Sequence, residues 1–314
     1  MKELKVFSCP SAKTFGKEVC QYLGIRPGKI KYQKFKNDNI FVKVKETVRD
    51  CDVYVIQTTK PPVSDKILEM LLTVDALKWA GASRVTLVLP YYMYSRSDKK
   101  DQSRVPISAK SLAKMIDAMD TDRVLTCDLH NLAIQGFFNY NCDVLTAQHL
   151  LEDYFISKKI ENMVVVATDA GSTKKAHKYC KTLNCPMATI DKVRNGNDDN
   201  AKALTISGEV NGKTCIIFDD EIDTAGSICE AARVLKEHGA KEIYAGCTHG
   251  VFSADAVKKL AASPIKEIVT TDTIPLPKSK KIDKITVLTM TPLFAKAIDC
   301  LHKGLPLGNL INKD

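Results

Sequence analysis

Short apolar runs rich in Val, Ile and Leu alternate with segments of helical periodicity along nearly the whole chain. The strand candidates are LKVFSC (4–9), DVYVIQT (52–58), RVTLVLP (84–90), RVLTCDL (123–129), MVVVATD (163–169), TCIIFDD (214–220), EIYAGCT (242–248), EIVTTDT (267–273) and KITVLT (284–289). Between them lie amphipathic stretches such as DKILEMLLTVDALKWAGA (65–82), SAKSLAKMIDAMD (108–120) and GSICEAARVLKEHGA (226–240). In the last of these, Ile228, Ala231, Ala232 and Leu235 recur at helical spacing and Gly239 supplies a stop. Strands that are apolar throughout, rather than alternating, are covered on both faces. Interleaved with helices, they predict an α/β protein built on mostly parallel, doubly wound sheets.

The strands fall into two groups, 1–145 and 146–300, and a chain of 314 residues divides most naturally into two domains. No linker marks the boundary, which is placed at VLTAQHLLEDY around residue 146. The final helical segment, TPLFAKAIDCLHKG (291–304), and the tail 301–314 are expected to pack back on the first half.

Composition narrows the setting. The chain is 45% hydrophobic and 26% charged, the balance of an ordinary globular protein. No apolar run approaches the ~20 residues of a membrane span, and MKELKVFSC lacks a signal-peptide pattern. The eleven cysteines are odd in number and scattered, and no CxxC pair is present. Reduced, mostly buried thiols in a cytoplasmic protein are expected, with no membrane partner. The net charge of +9 bears on partners rather than on fold. Its basic residues are interleaved with acids, as in RSDKKDQSR (96–104), and the densest basic run, KSKKIDK (278–284), reads as a solvated loop. A basic cleft for a polyphosphate fits this pattern better than a nucleic-acid face.

The chemistry concentrates in IIFDDEIDTAGS (216–227), where a buried strand runs into acids and then into a small, hydroxylated turn that opens a helix. Ligands of open α/β sheets bind beyond the carboxyl ends of the strands. Backbone N–H groups at the helix start, with the Thr224 and Ser227 hydroxyls, suit a phosphate, and Ala225 and Gly226 permit close approach. Asp219 and Asp220 suit the vicinal hydroxyls of a ribose, so a sugar phosphate satisfies both halves of the segment. The plainer alternative is helix capping by the same Asp, Thr and Ser residues. Just upstream, GEVNGKT (208–214) has only three residues between its glycines and enters a strand, so it reads as a turn and not as a P-loop.

FDDEIDTAGS resembles the ribose-5-phosphate loop of the phosphoribosyltransferase fold. Four further segments, RSDKKDQSRVPISAKSLAKMI (96–116), TCDLHNLAIQGFF (126–138), ATDAGSTKK (167–175) and THGVFSADA (248–256), are similar to segments of the phosphoribosyl pyrophosphate (PRPP) synthetase, or ribose-phosphate diphosphokinase, family, in its order. The resemblance covers almost the entire chain. It implies two phosphoribosyltransferase-like domains that transfer the β,γ-diphosphoryl group of Mg²⁺-ATP to the 1-hydroxyl of ribose 5-phosphate, giving PRPP and AMP. It also implies a homo-oligomer, dimer-based and often hexameric, with a neighbour's residues near ATP.

The resemblance further carries roles onto single residues. His130 and Asp169 would hold the Mg²⁺, and Asp219, Asp220, Asp223, Thr224, Ala225, Gly226 and Ser227 would hold ribose 5-phosphate. Asp223 is also the nearest candidate to orient or deprotonate the attacking hydroxyl. Ala170, Gly171 and Ser172 form a tight turn suited to pyrophosphate oxygens. IDKVRNGNDDN (190–200) reads by itself as a polar loop; in the family the matching loop is catalytic, which assigns Lys192 and Arg194. Arg96, Ser97 and Asp101 in RSDKKD, and Phe35, Asn37 and Asn39 in KFKNDN, map to ATP-contacting positions.

This chain departs from the family where Ser97 replaces a usual Gln, where Asn39 replaces a usual Glu, and in the tail LPLGNLINKD, which lacks the Ser-rich contact. Thr47, Arg49 and Arg104 remain available for a regulatory phosphate. The alternatives are a non-catalytic regulatory subunit of the same family and a phosphoribosyltransferase that consumes PRPP.

Overall fold

β1 (Leu4–Ser8) buries Val6 and Phe7 and leads into α1 (Lys13–Leu23), which ends at Gly24 in the left-handed region. A two-stranded antiparallel hairpin follows, β2 (Ile30–Lys34) paired with β3 (Ile40–Val44). Next come β4 (Asp52–Ile56), α2 (Val63–Trp79), β5 (Arg84–Leu89), α3 (Ser108–Asp117), β6 (Arg123–Cys127) and β7 (Cys142–Leu145). The strands β1-β4-β5-β6-β7 form one parallel sheet in that order. All of β4 is buried: the apolar run Val53–Ile56 suits a strand covered on both faces, and Asp52 at its start is buried with its charge paired.

The second group begins with α4 (Gln148–Ser157), β8 (Met163–Ala167), α5 (Thr173–Leu183), β9 (Met187–Arg194) and β10 (Lys202–Ser207). It continues with β11 (Thr214–Ile222), α6 (Gly226–Glu237), β12 (Glu242–Gly250), α7 (Ala256–Ala262), β13 (Glu267–Thr271) and β14 (Ile285–Leu288). Its sheet order is β10-β9-β8-β11-β12-β13-β14, parallel except for the antiparallel pair β9–β10. On one face Phe155 of α4 and Tyr179 of α5 pack on Phe218 of β11, with the Tyr179 and Phe218 rings stacked at 3.7 Å. Gly246 on β12 makes room for this cluster, since a Cβ there would come within 2.8 Å of the Phe218 ring. The other face is covered by α6 and α7 through Ile228, Ala232, Leu235 and Leu260.

These elements belong to a computed structural model that describes residues 2–169, 171–194 and 202–311, with the backbone alone at 191–194, 202–204 and 309. One compact unit comprises Met1–Thr146, Asp272–Pro275 and Thr289–Asp314, the other Ala147–Thr271 and Leu276–Leu288. The last long helix, α8 (Thr291–Lys303), therefore lies in the first unit, not in the second half where a division at residue 300 places most of it. Its apolar face packs on α1, and Phe294 meets Phe15 edge to face at 5.5 Å. Polar contacts hold its end: Arg84 donates to both Asp52 oxygens at 2.7 and 2.5 Å and to the Leu301 carbonyl at 3.1 Å, while His302 Nδ1 lies 2.7 Å from Asp52. Asp52→Ala would remove the carboxylate that Arg84 and His302 share, at a site only 3% exposed, leaving Arg84 with only the Leu301 carbonyl and the Tyr54 hydroxyl among these contacts. A loss of about 2–4 kcal/mol is expected, below the full cost of a broken buried pair because Arg84 is partly solvated, and thermal unfolding of the intact chain measures it.

Two elements depart from the sequence reading. Residues 190–194 continue β9 rather than opening a loop, with Lys192 in register with Leu204 and Arg194 with Lys202. The remainder of the expected loop, 195–200, lies outside the described residues. The β2–β3 hairpin was also not expected: its burial alternates along β3, and IKYQK and IFVKV are not apolar throughout. GEVNGKT is a turn, in which the Lys213 N–H donates to the Val210 carbonyl. All eleven cysteines are free thiols, and burial pushes those of Cys9, Cys215 and Cys247 up to about 12, so they pack as inert apolar side chains. Among the described residues no helix is long and apolar enough to cross a membrane.

Candidate functional site

In the seven-stranded sheet, β8 is flanked by β9 on one side and β11 on the other. The chain leaves β8 through α5 toward β9, and leaves β11 through α6 toward β12. The two connections run in opposite directions, so a crevice opens between them at the carboxyl ends of β8 and β11. This is the topological switch point at which open α/β sheets bind their ligands. Both catalytic-looking turns of this unit, Asp169–Ser172 and Asp219–Ser227, border that crevice.

β11 extends to Ile222, so Asp219 and Asp220 sit within its last turns of pleat rather than beyond the strand. The Asp220 N–H donates to Asp219 Oδ1 at 2.8 Å, and Lys175 Nζ, from α5, lies 4.0 Å from Asp220 Oδ1. Burial, and next the charge of Asp220, push the Asp219 carboxyl up to about 7, while Lys175 opposes that shift.

Beyond the acids the chain turns into α6 through Ala225 at φ 60°, ψ 9°. This left-handed residue is an alanine, although Gly226 follows it. The conformation costs about 1 kcal/mol outside glycine and is held by the surrounding fold. The Asp223 side chain accepts a hydrogen bond from Ser253 Oγ, and its carbonyl accepts one from the Ser253 N–H at 3.0 Å. Asp223 therefore pins the loop, and α6 carries no side-chain cap at Ala225. A Cβ added at Gly226 would meet nothing closer than Thr224 Oγ1 at 4.0 Å, so the fold leaves space in front of this helix start. Thr224, Gly226 and Ser227 are exposed there, which is the environment an anion at a helix N-terminus needs.

Asp169 lies two residues past β8, and its Oδ1 accepts from the Ser172 N–H at 2.8 Å while Ser172 Oγ donates to its carbonyl at 2.9 Å. That reciprocal turn sets the start of α5, whose third residue is Lys175; Ala170 lies outside the described residues. Lys192 and Arg194 are on β9, beside β8, and Lys192 stands three positions past the residue paired with Ala167. Their side chains lie outside the described residues.

The other predicted residues belong to the five-stranded unit. Arg96 and Ser97 follow β5, and His130 follows β6. Ser95, itself buried, accepts the His130 N–H at 2.9 Å, and Asn131 donates to Asp98 at 2.7 Å. RSDKKD and DLHN, well apart in the chain, thus form one surface, with His130, Arg96 and Asp101 exposed on it. Phe35, Asn37 and Asn39 occupy the tip of the β2–β3 hairpin. Phe35 is 45% exposed with its ring 5.7 Å from that of Phe41, and Asn37 Oδ1 accepts the Asn39 N–H at 3.3 Å. Thr47, Arg49 and Arg104 are exposed, Arg104 with φ 64°.

Among the described residues no three His, Cys, Asp or Glu side chains converge on a metal position. The carboxylate of Asp169 is an oxygen donor of the kind a hard cation such as Mg²⁺ takes together with water and substrate phosphates. Sequence reasoning missed Lys175, Ser253 and Ser95 as site residues, although each lies in or beside a singled-out segment.

A family model for the N-terminal domain of ribose phosphate pyrophosphokinase matches residues 4–119, and one for the phosphoribosyl synthetase-associated domain matches residues 197–312. The chain is 45% identical to the ribose-phosphate pyrophosphokinase of Bacillus caldolyticus over 96% of its length and 95% of that protein's. It is 44% identical to that of Caldanaerobacter subterraneus subsp. tengcongensis over 98% of its length and 97% of that protein's. The crystal structure of phosphoribosylpyrophosphate synthetase from Mycobacterium smegmatis is similar with a TM-score of 0.91 at 36% identity, covering 96% of this chain and 100% of that one. With two phosphoribosyltransferase-like units and near full-length similarity, the chain belongs to the ribose-phosphate pyrophosphokinase family of enzymes.

Proposed function

We propose that this chain transfers the β,γ-diphosphoryl group of ATP to the 1-hydroxyl of ribose 5-phosphate. The observation that carries the reading is the switch-point crevice, where an acid pair and an open helix start lie on one connection. Asp219 and Asp220 accept hydrogen bonds from the ribose 2- and 3-hydroxyls, and the N–H groups of Asp223–Ser227 bind the 5-phosphate. So anchored, the sugar presents its 1-hydroxyl oxygen to Pβ of ATP. The new bond is O1–Pβ, the bond broken is that between Pβ and the α,β-bridging oxygen, and AMP departs with that oxygen. The hydroxyl proton passes to Asp223, which Ser253 holds in place, or to water.

Lys192 and Arg194 offset the charge that develops on the transferring group. Arg96, Ser97, Asp101, Phe35, Asn37 and Asn39 bind ATP. His130 and Asp169 would hold Mg²⁺ with the nucleotide, and the ion would neutralise phosphate oxygens. Such an enzyme with free thiols suits a reducing cytoplasm, and it assembles as a homo-oligomer; light scattering on the purified chain measures its size.

The test is a coupled assay for AMP from ATP, Mg²⁺ and ribose 5-phosphate. AMP should appear only with the sugar phosphate present. A folded protein that binds ribose 5-phosphate yet makes no AMP with any triphosphate would sink the catalytic reading in favour of a regulatory subunit. Ser97 and Asn39 bear on nucleotide affinity. Restoring longer polar side chains with Ser97→Gln and Asn39→Glu should lower the KM for ATP roughly three- to tenfold, the worth of about one added hydrogen bond. Unchanged KM values for ATP and GTP in the double variant would remove both positions from nucleotide binding.

A further inference from the structure

We propose that Lys175 is a positioning residue for ribose 5-phosphate, its ammonium reaching from α5 to orient and charge-balance the acid pair on β11. This inference rests on the reading of Asp219 and Asp220 as the ribose contacts. Three observations carry it. The Lys175 ammonium stands 4.0 Å from Asp220 Oδ1, with the two side chains only 32% and 17% exposed, so solvent screens the pair incompletely. Lys175 sits on the first turn of α5, which the Asp169–Ser172 hydrogen bonds fix to the end of β8. The parallel pairing of β8 with β11 then delivers that turn beside the acids.

The pair needs such a counter-charge. Adjacent carboxylates in a half-buried crevice repel each other, and the Asp219 carboxyl is already pushed up by burial and by Asp220. A protonated carboxyl loses part of its capacity to accept from ribose hydroxyls. Glu221 and Asp223 on the same segment add negative charge, and Asp169 adds more at the end of β8. Opposite on β12, Cys247 and His249 are in register with Asp219 and Glu221. Lys174 is the neighbouring cation on α5. Against this acidic surrounding, the Lys175 ammonium, 4.0 Å from Asp220, is positioned to keep the pair able to accept.

The test is calorimetric titration of ribose 5-phosphate into the intact protein between pH 6 and 9, for wild type, Lys175→Met, Lys175→Gln and Lys175→Arg, with Lys174→Met as a charge control. Affinity should rise with pH as the acids ionise. In Lys175→Met and Lys175→Gln this limb should move up by about one pH unit, giving roughly tenfold weaker binding near pH 7 and convergence with wild type near pH 9. Lys175→Arg should restore most of the affinity, and Lys174→Met should leave it unchanged. The ligand's own phosphate titration is common to all variants and cancels. At saturating sugar phosphate, kcat should stay within about threefold, because the residue acts in the ground state and transition state alike.

A limb unmoved in both neutral variants, or a fall in kcat at unchanged affinity, would overturn the inference and place Lys175 on the transferring group instead. Wild-type protein that binds no ribose 5-phosphate at any pH would overturn the functional reading itself. Melting curves of each variant separate a lost fold from a lost charge, and either neutral variant that folds decides the matter.

Discussion

Lys192→Ala should lower AMP formation by about 10³-fold while leaving ribose 5-phosphate affinity within about twofold. The split follows from where the residue stands. Lys192 is on β9, three positions beyond the residue paired with Ala167, on the side of β8 away from the acids of β11. The proposed ribose site is built from β11 and α6, so the sugar phosphate should dock without it. The diphosphoryl group in flight spreads negative charge over its oxygens, and phosphoryl transfer asks little of a protein beyond position and compensating charge. A cation that acts mainly as that charge develops affects kcat rather than binding. Arg194→Ala should cost about 10²-fold by the same reasoning. Coupled assays at saturating substrates, with calorimetry for the sugar phosphate, measure both. Equal losses of affinity and turnover would mean that the strand end serves to bind the substrate.

Asp219→Asn should have effects of opposite sign on function and on stability. Ribose 5-phosphate affinity should fall roughly 30- to 100-fold, the worth of one or two charge-assisted hydrogen bonds. Stability should rise at alkaline pH. The Asp219 carboxyl is raised from an ordinary 3.8 to about 7 in the folded chain, mainly by burial and then by Asp220. A group raised in this way favours folding in its protonated form; that contribution is complete below about pH 4 and is lost as pH rises through about 7. At pH 8 the wild type carries a half-buried second charge that Asn does not, and the variant should be more stable by on the order of 1–2 kcal/mol. Near pH 4 the difference should vanish. Asn retains an oxygen for the Asp220 N–H, so the local turn survives the change. Thermal unfolding at the two pH values checks the sign. A variant destabilised at pH 8 would mean that Asp219 is ionised and well compensated in the folded chain.

Such a conflict between stability and binding is typical of functional sites, and it clarifies how much was legible from residues alone. The periodicity of 163–169, 214–220 and 242–248 was enough to predict β8, β11 and β12, because strands buried on both faces must be apolar throughout. β9 and β10 escaped the same logic. MATIDKVR mixes charge into a strand, and its antiparallel partner KALTIS interleaves polar with apolar residues. The β2–β3 hairpin escaped for a similar reason, since it is half buried and its residues alternate. The acids of β11 and the small turn that follows are what residue types and spacing offered for the proposed sugar-phosphate site. The backbone device that shapes that turn could not, because it rests on Ala225 in a left-handed conformation and not on the adjacent Gly226.

By itself, the sequence determined the element types, the parallel character of the sheets and the chemical classes of the site residues, since each depends on local periodicity and on side-chain functional groups. Tertiary structure alone decided which residues meet. The pairing of β8 with β11 brings Lys175 to Asp220, a hydrogen bond joins Ser95 to His130, and the loop after β12 supplies Ser253 to Asp223. It likewise decided that α8 returns to α1 in the first unit, where Phe294 finds Phe15 and Arg84 finds the Leu301 carbonyl. These contacts join residues far apart along the chain. Their free energy comes from burial and pairing that exist only once the sheets have formed, so no local pattern encodes them.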